Sequence, residues 1–360
     1  MGGPSSSHST NPCYNAANSI LNPNPSPMLR VAINGFGRIG RIVFRANEYD
    51  KRVEIVAIND PNPPESAAYL LKYDTTHGRF KGTVSFTEKS LIVNGREIPY
   101  SMERDAAKLP WKENNVDLVF EATGAFTDKD KASAHLTSGA KRVMITAPGK
   151  GVEGTFVYGV NHETFDPAKH IIFSNASCTT NCLAPFAKVL NDHFKIKHGL
   201  MTTIHAYTND QRTLDLTHKD ARRGRAAAAN IIPTSTGAAK ALGLVVPELD
   251  GKMDGFAMRV PVVNGSATDL VCTVEKETTK EEVNEVLKKA AEGAYKNIIE
   301  YTEDPIVSSD IVGNSASSII DGKLTKVIGG NMIKVMAWYD NEWGYSQRLL
   351  DLAKYIEKKV

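Results

Sequence analysis

The chain has 360 residues, 41% of them hydrophobic and 23% charged, with a formal net charge of +2. This is the composition of a globular chain, its length favours two domains, and so small a net charge argues against the concentrated basic face that a nucleic-acid binder needs. Four cysteines, Cys13, Cys178, Cys182 and Cys272, are too few and too irregularly spaced for a disulfide framework or a CxxC-type zinc site. Free thiols in a reducing compartment, the cytoplasm, are expected, and no apolar run approaches the ~20 residues of a membrane span.

Residues 1–29 are rich in Ser, Asn and Pro and carry no Lys, Arg, Asp or Glu. Such a stretch buries no core and lacks a transit peptide's arginines, so it reads as a disordered extension or leader, with folded sequence starting at Leu29. Gly2 and Ser6 match the short N-myristoylation pattern, but no basic patch follows to give a second membrane signal.

Leu29–Asn34 is a short apolar, β-branched run that stops at Gly35-Phe36-Gly37-Arg38-Ile39-Gly40, after which Arg41–Tyr49 has helical character. Val53–Asn59 is a second buried-strand pattern and ends at Asp60, so the segment forms one parallel βαβ unit. A GxGxxG alone is weak, but between strand and helix, with an acid after the next strand, it reads as a dinucleotide site. Gly35 permits the turn, Gly37 admits the pyrophosphate and Gly40 lets helix pack on sheet, with the helix N-terminus facing the phosphates. Asp60 would accept hydrogen bonds from the adenosine ribose and repel a 2′-phosphate, which favours NAD. Val116–Glu121 and Lys141–Thr146 are further buried strands. Thr123, Gly124 and Thr146 at their carboxyl ends are either cofactor contacts or ordinary turn residues.

Ile171–Phe173 is another apolar run, broken by Ser174-Asn175-Ala176-Ser177, and Cys178 opens a helical segment. Unpaired N–H groups and the positive dipole end there would lower a thiol pKa and hold an oxyanion. Cys182, one turn on, reads as a small buried hydrophobe, and no further ligands complete a metal site with the pair. His205 ends the apolar strand Gly199–Ile204, where a strand end can bring it beside Cys178 as a base. His77, His193 and His218 are assigned no role.

Asn34–Arg41 (NGFGRIGR), Ala57–Pro61 (AINDP), Ser174–Pro185 (SNASCTTNCLAP), Ile204–Gln211 (IHAYTNDQ), Thr234–Ala241 (TSTGAAKA) and Trp338–Ser346 (WYDNEWGYS) occur in this order. On these motifs the chain closely resembles the glyceraldehyde-3-phosphate dehydrogenases from about Arg30 to the C-terminus. The resemblance implies an α/β fold: a Rossmann-type doubly wound parallel sheet over 30–177, an α+β catalytic domain with a mostly antiparallel sheet over 178–340, and a C-terminal helix, 341–360, returning to the first domain. It also implies a homotetramer acting on glyceraldehyde 3-phosphate and inorganic phosphate through a thioacyl intermediate, with no nucleic acid or membrane as primary partner. Cys178 then corresponds to the nucleophile and His205 to its base. Ser177, Thr179, Thr208, Thr236, Gly237 and Arg259 fall on phosphate-binding positions, and Arg38, Ile39, Asp60, Arg104, Thr146 and Asn341 on NAD positions beside the three glycines. The physical reading agrees for Arg259, since an arginine beside Ser235-Thr236-Gly237 supplies an anion site.

Lys219, Arg222, Arg223 and Arg225 make a basic cluster between Asp210 and Pro233. The resemblance places that loop at a subunit interface beside the neighbouring cofactor. Two departures stand out. Thr217 replaces a proline common in NAD-specific members, which weakens the exclusion of NADP, and Val262-Val263-Asn264-Gly265-Ser266 replaces the usual Thr-Pro-Asn-Val-Ser, a change expected to affect tetramer packing more than chemistry. The rival readings are an erythrose-4-phosphate dehydrogenase and, from another class, an RNA- or partner-binding protein on the same fold.

Overall fold

The computed structural model describes residues 28–360, and the expected leader and its Gly2/Ser6 pattern lie outside them. Two sheets organise the chain. In the first, the strands run Val84–Phe86, Ser90–Val93, Arg96–Ser101, Glu54–Asn59, Arg30–Asn34, Leu118–Glu121, Arg142–Ile145, Ile172–Ser174 and Gly154–Thr155 across the sheet. All pairings are parallel except the two among the first three strands. Chain order reverses between Arg30–Asn34 and Leu118–Glu121, the switch point at which doubly wound sheets form a crevice.

The first βαβ unit follows from its residues. Ala32 and Ile33 are fully buried, as a strand covered on both faces requires, and the helix spans Arg38–Asp50. It begins three residues before the expected start, inside the glycine motif, with Gly37 in the extended conformation as its cap. The antiparallel edge was not anticipated. Its two-residue turn is Asn94-Gly95, both at positive φ (52° and 79°), the pairing that a primed hairpin turn requires.

The second sheet runs Ile232–Ser235, Met253–Val260, Ile196–Ala206, Ser266–Val274, Met332–Tyr339, Ser318–Asp321 and Ile299–Thr302, with Lys326–Ile328 added beside Met332–Tyr339. It is mostly antiparallel; the exceptions are Ile196–Ala206 with Met253–Val260 and Ile299–Thr302 with Ser318–Asp321. Helices Cys178–Phe194, Ala238–Val245 and Lys280–Glu292 contribute their buried faces to the core on one side of it. Each fully buried Leu, Ile or Phe there contributes about 1.5–3 kcal/mol. The other face is bare in the single chain, with Leu200 68% and Phe256 47% exposed.

Helix Trp343–Glu357 packs on helix Arg38–Asp50 and adds Leu349, Leu350, Leu352 and Ile356 to the first domain's core. The helix Cys178–Phe194 leaves strand Ile172–Ser174 of the first sheet directly for the core of the second. Cys178 therefore touches both cores.

Candidate active site

The three glycines of the turn differ in what a side chain would meet. At Gly35, with φ +91°, an added Cβ would lie 2.6 Å from the Thr123 backbone nitrogen, and at Gly40 it would lie 2.1 Å from the Gly35 carbonyl oxygen. At Gly37 it meets nothing within 4 Å. Gly37 caps the helix without any side-chain hydrogen bond, so the first-turn N–H groups open onto free space, a fit for a pyrophosphate. Asp60 closes one side: its carboxylate accepts from Phe36 N at 2.8 Å and from the Asn62 backbone and side chain at 3.0 and 2.8 Å. Further lone pairs on both oxygens are left for ribose hydroxyls.

The Arg38 side chain is committed elsewhere. Its guanidinium pairs with Asp74 at 2.7 Å and with Glu342, whose carboxylate also meets His77 Nε2 at 3.2 Å. What Arg38 and Ile39 offer a cofactor is therefore chiefly backbone. Thr146 Oγ1 donates to the Glu121 carbonyl at 3.0 Å, and Arg104 is exposed with no side-chain partner among the described residues. Beneath the crevice lies a buried polar chain that sequence reading missed. Trp111 Nε1 donates to His135 Nδ1 at 3.0 Å, which leaves the ring proton on Nε2 to donate to Glu121 at 2.9 Å. Glu121 also accepts from Asn34 Nδ2 at 2.6 Å and Thr123 N at 2.9 Å, so it fixes both strand ends that flank Gly35. No cluster of His, Cys, Asp or Glu able to hold a metal occurs among the described residues.

Cys178 is the first residue of its helix. Ser177 precedes it as the cap, its Oγ accepting from Thr180 N at 3.1 Å, and Ala176 before that takes a left-handed φ of 56°, a strained conformation for a residue with a Cβ. His205 ends strand Ile196–Ala206, and its Nε2 lies 3.4 Å from Cys178 Sγ. The two residues, 27 apart in sequence, thus meet where the domains join.

Opposing causes act on the pair. Burial pushes the Cys178 thiol up, and it outweighs the pull of Arg259 and of the Thr179 hydrogen bonds and helix-start N–H groups in the other direction. Burial, then the Arg259 charge, push the His205 imidazolium down to about 3. A low-dielectric junction disfavours a lone charge on either group, while Arg259 and the N–H groups at the helix start pull the half-buried thiol the other way.

Tyr339 was not singled out from the sequence, although it lies in one of the motifs. Its hydroxyl links Thr179 Oγ1 at 2.8 Å to Thr203 Oγ1 at 2.9 Å, and its ring packs edge-on to His205 with centroids 6.0 Å apart. Thr179 therefore spends its hydroxyl inside the protein. Arg259 stands opposite His205 in register on the parallel neighbouring strand. Its NH1 lies 2.6 Å from His205 Nδ1 and donates to the Ala206 carbonyl at 2.8 Å, and no carboxylate partners it among the described residues. A partly buried guanidinium without a counter-ion, its Nε unpaired, is a place for an anion. Thr208 is half-buried, with its N–H 3.3 Å from Gln211 Oε1; Thr236 Oγ1 accepts from Ala238 N at 3.2 Å; and Gly237 opens the uncapped helix Ala238–Val245 with free space at its Cα. Asn341 Oδ1 accepts from Ser266 Oγ at 2.7 Å, which leaves its Nδ2 to donate to a carboxamide oxygen. Ser266, the last residue of the altered Val262–Ser266 segment, also accepts from Ala206 N at 3.1 Å, so that segment reaches the chemistry as well as the surface.

In the basic loop, Arg223 pairs with Asp210 and Arg225 with Asp215 at 3.0 Å. That internal pairing offsets two of the four basic charges named for the loop. Thr217 is exposed.

The chain is similar to known proteins over most of its length. Residues 29–129 match the profile of the glyceraldehyde 3-phosphate dehydrogenase NAD binding domain, and residues 177–341 that of the C-terminal domain. Glyceraldehyde-3-phosphate dehydrogenase 2 of Streptomyces avermitilis is 58% identical over 333 residues, covering 92% of this chain and 99% of the relative. Glyceraldehyde-3-phosphate dehydrogenase of Geobacillus stearothermophilus is 57% identical over 331 residues with the same coverage. A glycine facing open space at an uncapped helix start, a cysteine–histidine pair across the domain junction and an arginine without a carboxylate beside it thus stand in a chain that is an NAD-dependent enzyme belonging to the glyceraldehyde-3-phosphate dehydrogenase family.

Proposed function

We propose that this chain oxidises D-glyceraldehyde 3-phosphate with NAD and inorganic phosphate to 1,3-bisphosphoglycerate, using Cys178 as nucleophile and His205 as base. The 3.4 Å approach of Cys178 Sγ to His205 Nε2 carries the reading. His205 Nε2 takes the thiol proton as Sγ attacks the aldehyde carbon, passes it to the alkoxide oxygen so formed, and takes it back as that carbon is oxidised. NAD, when bound, supplies the hydride acceptor. Helix-start N–H groups at Cys178 hold the substrate oxygen, and Arg259 with Thr208, Thr236 and Gly237 holds phosphate. Inorganic phosphate then attacks the Cys178 thioester, and the thiolate leaves. Gly35, Gly37, Arg38, Ile39, Gly40, Asp60, Arg104, Thr146 and Asn341 form the NAD site, with Asn341 Nδ2 turned to the nicotinamide carboxamide. Ser177 acts as the cap that fixes Cys178, and Thr179 through its backbone N–H.

We take the domains as 30–177, 178–340, and 341–360 returning to the first, a division that the two separate sheets support. The bare sheet face carrying Leu200 and Phe256, together with the exposed Leu214 and Leu216 of the 210–233 loop, supports burial between copies in a homotetramer. Three free cysteines among the described residues suit a reducing compartment, the cytoplasm, and no helix among those residues is long and apolar enough to cross a membrane.

The test is NADH formation from glyceraldehyde 3-phosphate with and without inorganic phosphate, with erythrose 4-phosphate and NADP as substitutes. Phosphate-dependent turnover that Cys178→Ser abolishes while NAD binding persists is the expected result. Substantial activity in Cys178→Ser would overturn the site assignment, and preference for erythrose 4-phosphate would move the enzyme to the sister reaction.

A further inference from the structure

Four neighbouring parallel strands of the first sheet each end in a polar residue, in spatial order Ser101, Asn59, Asn34 and Glu121. Asn59, Asn34 and Glu121 are buried, and their side chains bond from strand to strand. A backbone donor fixes the direction of this relay. Glu103 N–H donates to Asn59 Oδ1 at 3.0 Å, which settles which end of that amide is oxygen. Asn59 Nδ2 then donates to Asn34 Oδ1 at 2.8 Å and to the Glu103 carbonyl at 2.9 Å, and Asn34 Nδ2 donates to Glu121 at 2.6 Å. Ser101 Oγ donates to Asn59 Oδ1 at 2.9 Å and brings in the fourth strand.

A second relay arrives from the opposite side. Trp111 Nε1 donates to His135 Nδ1 and His135 Nε2 to Glu121, so the indole sets the tautomer of the ring. Asn34 Nδ2 and His135 Nε2, 3.4 Å apart, share Glu121 Oε2, while Oε1 accepts from the Thr123 backbone N–H and hydroxyl. Both relays run toward Glu121 and need a group there that only accepts, which a carboxylate does and an amide does not. The proposed cofactor residues follow these strand ends closely: Gly35 after Asn34, Asp60 after Asn59, Arg104 three residues after Ser101. We propose that Glu121 is a positioning residue of the NAD site: as the common acceptor of both relays, it holds four strand ends in the arrangement that NAD requires before NAD arrives. The inference rests on the placing of NAD in this crevice made above.

The effect falls on binding rather than chemistry. Among the described residues, the hydrogen bonds of Cys178, His205 and Arg259 include none to a side chain of either relay. Where strand ends are free to part, NAD must restore them at the expense of its own affinity, and a preset crevice removes that loss. Glu121→Gln keeps the shape but turns an NH₂ group either on the Thr123 N–H or on Asn34 and His135, and both orientations set donor against donor. Moving the carboxylate one strand along restores the match. In the double variant Asn34→Asp/Glu121→Gln the new carboxylate accepts from the new amide, from Asn59 Nδ2 and from His135 Nε2, leaving the amide oxygen for the Thr123 N–H.

The experiment is calorimetric titration of the full-length enzyme and both variants with NAD and with ADP-ribose, alongside kcat at saturating NAD and Tm. Glu121→Gln is expected to bind both ligands about tenfold more weakly, the scale of one buried donor without its acceptor, with kcat at saturating NAD within about twofold of wild type. The double variant is expected to recover most of the affinity. A role in packing alone lowers Tm without separating affinity from kcat. Unchanged affinity in a folded Glu121→Gln, a fall in kcat without a fall in affinity, or a double variant that binds no better than the single one overturns the proposal. If Glu121→Gln does not fold, the double variant decides: recovery of fold and NAD affinity supports the proposal, and failure to recover them overturns it. Failure of the NAD placing is distinguishable, because Gly37→Ala, whose Cβ meets no atom of the relays, then leaves NAD affinity unchanged as well.

Discussion

The dinucleotide turn and the Cys178–His205–Arg259 cluster solve their tasks in opposite ways. The turn works by lacking side chains: a strand, three glycines and a helix start, contiguous in sequence, leave backbone N–H groups facing open space. The cluster works by side chains that three separate elements bring together, a helix start and two parallel strand ends, in a junction where burial pushes the thiol up and the imidazolium down. A contiguous site tolerates change in the rest of the chain; an assembled one depends on the seating of every element that feeds it.

The sharpest way to separate the two is His205→Asn. Removing a positioned base costs about 10²–10⁴-fold in turnover, and this variant is expected to lose that much kcat while retaining NAD affinity measured by fluorescence titration. A loss of NAD affinity of similar size would show that the two regions are not independent.

Within the turn, Gly40→Ala places a Cβ 2.1 Å from the Gly35 carbonyl and is expected to destabilise the first domain by about 3 kcal/mol, seen as a lower Tm. Gly37→Ala meets no atom and is expected to leave Tm unchanged while raising the KM for NAD. Equal effects on Tm would remove the distinction between the packing glycine and the phosphate glycine.

Tyr339→Phe tests the support behind the assembled site. It removes a hydroxyl shared by Thr179 and Thr203 and is expected to cost about 1–3 kcal/mol of stability, since two buried hydroxyls lose a partner, with kcat falling more than KM rises. Unchanged kcat would mean the tyrosine only fills space.

The smallest effect lies at the strap joining the regions. Burial pushes the Glu342 carboxyl up, but Arg38 and His77 outweigh it and hold it below the usual carboxylate range; Asp74 is held low by the His77 N–H and Arg38 against its own burial. Carboxyls depressed in the folded state stabilise it above the unfolded value of about 4.3, and that contribution is lost as pH falls through the folded values. Wild type is therefore expected to lose Tm more steeply below about pH 4 than Glu342→Gln, which starts lower at neutral pH. Parallel curves would remove Glu342 from the account.

The motifs carried a good deal of this. Gly35, Gly37 and Gly40 were legible because one local turn needs all three, each for a reason its neighbours in sequence reveal. Cys178 was legible as the first residue of a helix after a broken apolar run. His205 was legible only as a strand-end partner, since nothing in its own stretch says what it faces. The hairpin at Asn94-Gly95 carried a turn signal that reading for parallel strands passed over.

By itself, the sequence determined the class of fold, the family and the candidate for the nucleophile, because helix starts, glycine turns and buried strands are properties of contiguous residues. Only the tertiary structure decided the burial of the pair, the commitment of Arg38 to Glu342 and Asp74, the contacts of Tyr339, Glu121 and His135, and the placing of Arg259 beside the ring of His205. Burial and hydrogen-bond competition belong to no segment of the chain. They arise where the segments meet.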